Sequence, residues 1–190
     1  MNTETERLLI RDLEIEDLHA IHVSKSNAKA NQYTAFYSAS LDETRNWLKA
    51  TIYHNEVQPR TSHNCAVVLK ETNEVLGWIG FGDPSEEHRA WGDIDFGYGL
   101  AKRYWGNGYM TEAVAPITDY AFEVLGFDTL IFKNAVGNRR SRRVKEKTGA
   151  RLLGTTNARY VDPGLSASEL WELTPSAWQH AKNSLPPPKR

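Results

Sequence analysis

Two carboxylates two residues apart, Asp93 and Asp95, and a glycine-rich run just after them are the parts of this chain best equipped for chemistry. A carboxylate placed beside a bound ligand can act on it as a general base. The run Arg103-Tyr104-Trp105-Gly106-Asn107-Gly108-Tyr109-Met110 offers something different. An alternating stretch, Ile94 to Leu100, precedes it; apolar residues follow at Met110, Ala113, Val114, Ile117, Ala121, Val124 and Leu125, which is helix spacing. A glycine-rich turn between a strand and a helix leaves backbone N–H groups that the first helical turn cannot satisfy. The helix dipole adds partial positive charge, so such a turn favours phosphate. Asn107-Gly108 is also a strong hairpin signal. A returning strand would alternate, and the helical period after Met110 argues against it. The spacing fits neither of the two common glycine-rich nucleotide motifs.

The strand before the turn has two unlike faces. Ile94, Phe96, Tyr98 and Leu100 are large and apolar, whereas Asp93, Asp95, Gly97 and Gly99 share the other face. Two glycines on one face admit two readings: a ligand or another backbone running close along the strand, or a bulge or a helix crowding it. After the helix, Asn138 to Lys147 holds six positive residues. A solvated face or a nucleic-acid surface would account for them. Arginines at the start of a helix oppose its dipole, however, and a phosphate-bearing ligand would relieve that.

The elements that must position these groups are legible in outline. Leu8-Leu9-Ile10 reads as a first strand, and Glu14 to Val23 as a helix. Asn27 to Ala39 reads as a loop or irregular helix. Ser40-Leu41-Asp42-Glu43 is a capping box opening a second helix. Cys65 to Leu69 and Val75 to Phe81 read as strands around a turn at Glu71 to Glu74. The helix from Tyr109 ends at Gly126, with Pro116 inside it, where it should kink the helix or remove a bond. Thr129 to Phe132 is a strand, Ser141 to Thr148 a short helix, and Arg151 to Leu153 and Leu170 to Leu173 the last strands. Trp47, Trp78 and Trp171 are expected in the core, and Trp105 as an anchor of the turn.

Composition excludes several classes. At 190 residues the chain reads as one domain, residues 7–178, with 1–6 and 184–190 as flexible ends. A net charge of −1 exerts no global pull on nucleic acid or membranes. The single cysteine, Cys65, rules out an internal disulfide framework, and the absence of a signal-like or membrane-length apolar run makes a cytoplasmic protein the expectation. His19 and His22 lie at i, i+3, but nothing nearby completes a ligand set, so no metal is expected.

Three patterns, in order, resemble the GNAT superfamily of acetyl-CoA-dependent N-acetyltransferases, and most closely its ribosomal-protein N-terminal (RimJ/RimL-like) branch. Asp95, Gly97 and Tyr98 match the acidic–apolar–Gly–Tyr strand. Arg103, Gly106 and Gly108 match the Arg-x-x-Gly-x-Gly turn. Asn138, Ser141, Lys147 and Gly149 match the later Asn–Ser–Lys–Gly pattern. The resemblance implies an α/β (α+β) fold: a mixed, strongly curved sheet of about seven strands flanked by helices. The strand of Asp95 would splay from its neighbour, with pantetheine along the gap. It assigns acetyl-CoA to Tyr98, Leu100, Arg103, Trp105, Gly106, Asn107, Gly108, Tyr109, Met110, Thr111, Asn138, Arg142, Arg143 and Lys147. It makes Asp95 the base, puts Ser141 at the coenzyme thiol, and places the acceptor near Tyr33 and Phe36; Asp93, two residues before Asp95 and on the same face, is then placed to attract a cationic amine. Many members carry a tyrosine four residues after Ser141 that protonates the departing thiolate. Here that position is Lys145, expected at the surface facing solvent or phosphate.

Three functions follow. The first is acetyl transfer from acetyl-CoA to a primary amine, a peptide N-terminus or a small α-amine, by a monomer or homodimer. The second is a non-catalytic module that holds an acyl-CoA. The third, nucleic-acid binding through Arg139 to Lys147, is disfavoured because the rest of the chain is not basic.

Overall fold

The computed structural model describes residues 1–34, 40–58, 60, 62–82 and 96–184. Its first half is a five-stranded antiparallel sheet in the order β1 (Asn2–Glu4), β2 (Leu8–Asp12), β3 (Ser62–Leu69), β4 (Glu74–Gly82) and β5 (Phe96–Leu100). Between β2 and β3 come α1 (Leu18–Lys25), entered through a tight turn at Ile15–Asp17, and α2 (Leu41–Glu56). After β5, a short turn at Lys102–Tyr104 leads to α3 (Tyr109–Asp119). Then follow β6 (Leu130–Ala135), α4 (Arg139–Thr148), β7 (Arg151–Asn157), β8 (Ala167–Leu173) and α5 (Pro175–Lys182). The last three strands make a second antiparallel sheet, β6-β8-β7. The single mixed sheet of about seven strands is therefore, among the described residues, eight strands in two antiparallel sheets. The break falls between β5 and β6, although the rings of Phe96 and Phe132 still meet across it at 5.1 Å.

The run Cys65-Ala66-Val67-Val68 is buried without alternation because both faces of the sheet are covered. Cys65 and Val67 face α3, joining Met110, Ala113, Val114, Ile117 and Ala121. Ala66 and Val68 face the other way, toward Leu18, Ile21 and Leu48 of α1 and α2. Burial pushes the Cys65 thiol up to about 12. The capping box forms: Ser40 accepts from the Glu43 N–H and Glu43 returns the bond.

Two features depart from expectation, and Pro116 acts as its type suggests. Residues 1–6, read as a flexible end, contain β1, which pairs with Leu9 to Arg11 through backbone bonds that a polar sequence can make as well as an apolar one. The α5 helix was not anticipated. Thr174 caps it, Pro175 occupies its first position, and fully buried Trp178 pins it by donating to Asp119 at 2.8 Å. In α3, Pro116 lacks the N–H that would bond to the Glu112 carbonyl. One turn later the helix widens at Tyr120–Val124, where the Leu125 N–H donates to the Tyr120 carbonyl five residues back. Gly126 then ends it at φ +70°, as its type suggests.

Candidate active site

The turn between β5 and α3 is built to leave donors open. Trp105 anchors it as expected, its indole Nε1 donating to the Leu100 carbonyl at 2.8 Å. Gly106 and Gly108 adopt φ of +87° and +82°, a region closed to most side chains. Gly108 holds the cap position of α3 and has no side chain to close it. From Gly106 to Thr111, no backbone N–H has a hydrogen-bond partner among the described residues. Glu112, one turn in, fixes this end of the helix. It accepts from the Arg7 N–H at 2.9 Å, Arg7 Nε at 2.8 Å and Thr5 Oγ1 at 2.5 Å. Arg7 also donates to the Asn107 carbonyl at 3.1 Å and lies over the Tyr109 ring. Neither Arg7 nor Glu112 was singled out in the sequence, because their 105-residue separation carries no local signal. Gly106, Asn107 and Tyr109 line a cavity of about 560 Å³ with Arg7 and Lys70.

The other candidates divide. Met110 and Leu100 have their side chains in the core, so only their backbone can meet a ligand. Thr111 lies half-buried in the first turn of α3. Arg103 is 60% exposed at the rim, its guanidinium 4.0 Å from Glu74. Asn138, Arg143 and Tyr33 come together around a second cavity of about 320 Å³, with Arg139 and Arg140. Arg140, in the basic run but not among the expected ligands, lies over the Trp105 ring at 4.9 Å and so joins α4 to the turn. Arg142 is turned away from both cavities by three partners: Glu146 at 2.8 Å, buried Glu169 at 2.9 Å and the Trp171 ring. Lys147 is exposed in the last turn of α4, about 12 Å along the axis from the arginines that open it. Phe36, Asp93 and Asp95 lie outside the described residues.

Gly97 and Gly99 have a cause visible only in three dimensions. In the β4–β5 register Trp78 lies opposite Gly99, and its indole covers both glycines. A Cβ on Gly97 would meet it at 3.1 Å, and one on Gly99 at 3.0 Å. A cross-strand tryptophan, neither a ligand nor a helix, occupies that space. Trp78 and Trp47 are half-buried rather than sealed in, and they pack 5.4 Å apart with Lys25 over both rings. Burial pushes the Lys25 ammonium down to about 8.

On the opposite face of β5, Tyr98 reaches α4. Its hydroxyl is 2.8 Å from Ser141 Oγ. Ser141 is the third residue of α4 rather than its first, because Asn138 caps the helix by accepting the Ser141 N–H at 3.2 Å. Burial pushes the Tyr98 phenol up to about 12, with Ser141 pulling against that. Lys145 is not at the surface. It is 2% exposed, with Nζ 2.8 Å from Ser141 Oγ and 3.4 Å from the Tyr98 hydroxyl. One helical turn separates Ser141 from Lys145, so they share a face, and with Thr148 that face is the one α4 buries. The spacing was readable, but a segment this basic reads as solvated throughout. The polar spots include no group of three or more residues able to hold a metal ion, among the described residues.

An open helix end after a strand that has parted from its neighbour is the pattern the resemblance implied, and the comparisons with known proteins agree. Residues 7–151 match the model of the acetyltransferase (GNAT) domain. The chain belongs to the GNAT acetyltransferase family. It is 30% identical over 130 residues to the uncharacterized N-acetyltransferase p20 of Bacillus licheniformis, covering 66% of this chain and 68% of that one. Its GNAT fold is shared with the ribosomal-protein-S5-alanine acetyltransferase of Vibrio fischeri, at TM-score 0.78 and 16% identity, over 94% of this chain and 98% of that one. It is also shared with RimL, a ribosomal L7/L12 α-N-protein acetyltransferase solved with coenzyme A, at TM-score 0.77 and 20% identity, over 93% and 99% of the two chains. This GNAT chain is thus an N-acetyltransferase of a family that uses acetyl-CoA, and no described helix is long and apolar enough to cross a membrane.

Proposed function

We propose that the chain acetylates a primary amine of modest basicity, a peptide N-terminal α-amine or a small α-amine, by direct attack on the thioester. The observation that carries the donor half is the row of N–H groups behind Gly106 and Gly108 that have no partner among the described residues, a cradle for the pyrophosphate of acetyl-CoA. Arg140, over the Trp105 ring, supplies positive charge beside it, and Arg143 adds charge to the second cavity that Arg140 also lines. In this reading Asp95, through a water, takes the proton of the attacking nitrogen. Asp93 attracts the cationic amine, Tyr33 and Phe36 border the acceptor, and Ser141 meets the coenzyme sulfur.

The acceptor half rests on proton energetics. An amine attacks a thioester only when neutral. An α-amine has a pKa near 7.7–8.0 against about 10.4 for a lysine side chain, so lysine costs roughly 3.4 kcal/mol more to deprotonate at neutral pH. A site with one matched carboxylate suits the easier proton. RimL and the Vibrio fischeri enzyme are both described as acting on ribosomal proteins, which supports the peptide class. The test sets a peptide with a free N-terminus and acetylated lysine against one with a blocked N-terminus and free lysine. Faster acetylation of the first is expected; preference for the second overturns the acceptor assignment.

A further inference from the structure

Lysine is an unusual choice for the buried stripe of a helix. An ammonium taken out of water costs free energy that a Met or Leu of similar length would not. Lys145 nevertheless has its Nζ 2.8 Å from Ser141 Oγ and 3.4 Å from the Tyr98 hydroxyl, over the faces of Tyr98 and Phe132. An ammonium has three donors and no acceptor, so Lys145 can only donate to the Ser141 oxygen. The phenol of Tyr98, held neutral by burial, keeps the other side of that oxygen occupied. Ser141 is therefore a hydroxyl with the Lys145 amino group behind it, at the edge of the gap where β5 and β6 part.

We infer that Lys145 is a positioning residue for departure of the coenzyme, orienting Ser141 and resupplying the proton that Ser141 gives to sulfur. This rests on the reading above that Ser141 meets the sulfur. As the amine nitrogen bonds to the acetyl carbon, the C–S bond breaks and its electron pair stays on sulfur. The sulfur takes the Oγ proton of Ser141, and Oγ takes a proton from Lys145 Nζ. Lys145, left neutral, regains a proton from water, while the proton shed by the nitrogen leaves through the base. No net charge or proton is gained. A fixed cation behind the donor also stabilises the negative charge that develops on sulfur, without reorganising at the moment of reaction.

The experiment compares wild type, Ser141→Ala, Lys145→Met and the double variant, as full-length chains. Lys145→Met is expected to lower kcat by about 10- to 100-fold, with acetyl-CoA affinity by calorimetry unchanged. The double variant should be no slower than Ser141→Ala, since a residue acting through Ser141 then has nothing to act on. Losses that multiply, or a wild-type kcat in Lys145→Met, overturn the inference. If Lys145→Met does not fold, Lys145→Gln is held to the same outcomes. A second measurement needs no acceptor: ultraviolet titration of coenzyme A bound to each protein. The bound thiol should titrate about one unit higher in Lys145→Met than in wild type, and equal titration overturns the inference. A wild type that binds coenzyme A but acetylates no amine would sink the proposed function and leave this titration to decide the role of Lys145.

Discussion

The helices α3 and α4 start within reach of each other, joined by Arg140 over Trp105, and they treat their first turns in opposite ways. At α3 the cap is a glycine in a left-handed conformation, and the first N–H groups have no hydrogen-bond partner among the described residues. At α4 the cap is Asn138, whose side chain takes the Ser141 N–H, and the basic residues that follow turn partly inward. The α2 and α5 helices are capped by side chains as well, through Ser40 and Thr174. An anion site is therefore marked less by the presence of glycine or arginine than by the omission of a cap where the fold could have had one. The two ends divide the labour. The open one is suited to holding a charged ligand, and the closed one to holding Ser141 still.

The sharpest way to break this comparison is to close the open end. Gly106→Val places a side chain at φ +87° where a phosphate would approach, in otherwise empty space. Losing two charge-assisted hydrogen bonds of about 2 kcal/mol each should weaken acetyl-CoA binding by on the order of 10³-fold in calorimetry, with the fold kept. A smaller effect separates ligand from packing on β5. Gly99→Ala drives a methyl group to 3.0 Å from the Trp78 indole. It should cost about 1–2 kcal/mol in urea unfolding, as overpacking does, without a matching loss of acetyl-CoA affinity. An affinity loss with unchanged stability would restore the ligand reading of these glycines.

At the closed end, Asn138→Ala should cost about 1 kcal/mol of stability by removing a helix cap, seen as a fall of a few degrees in Tm. One further effect is invisible at neutral pH. With its pKa raised to about 12 from an ordinary 10, Tyr98 stays protonated in the folded chain while it would ionise in the unfolded one. Its contribution is full below pH 10 and is lost as pH rises toward 12. The stability difference between wild type and Tyr98→Phe should therefore be flat to about pH 10 and shrink above it. A flat difference to pH 12 would mean that Tyr98 is not sealed from water.

What could be read from the chain follows from how local each cause is. The apolar period of α3, the capping box of α2 and the turn at Gly106 and Gly108 are local, and all three are found where spacing puts them. β1 was missed because its stability lies in backbone pairing with β2, and α5 because Trp178 is the one buried residue that marks its inner face. Gly97 and Gly99 need the β4–β5 register before Trp78 can account for them. Lys145 was misread for a different reason: its i+4 relation to Ser141 was in plain view, but charge around it concealed which side of the helix would be buried.

The same layering of the sheet has a practical side. Cys65, the chain's only cysteine, lies under α3 with its thiol pushed up to about 12 by burial. A disulfide reagent needs an accessible thiolate, which this residue does not offer. In a continuous colorimetric assay, the sulfhydryl that appears is then the one released from the donor, and the enzyme contributes no background of its own.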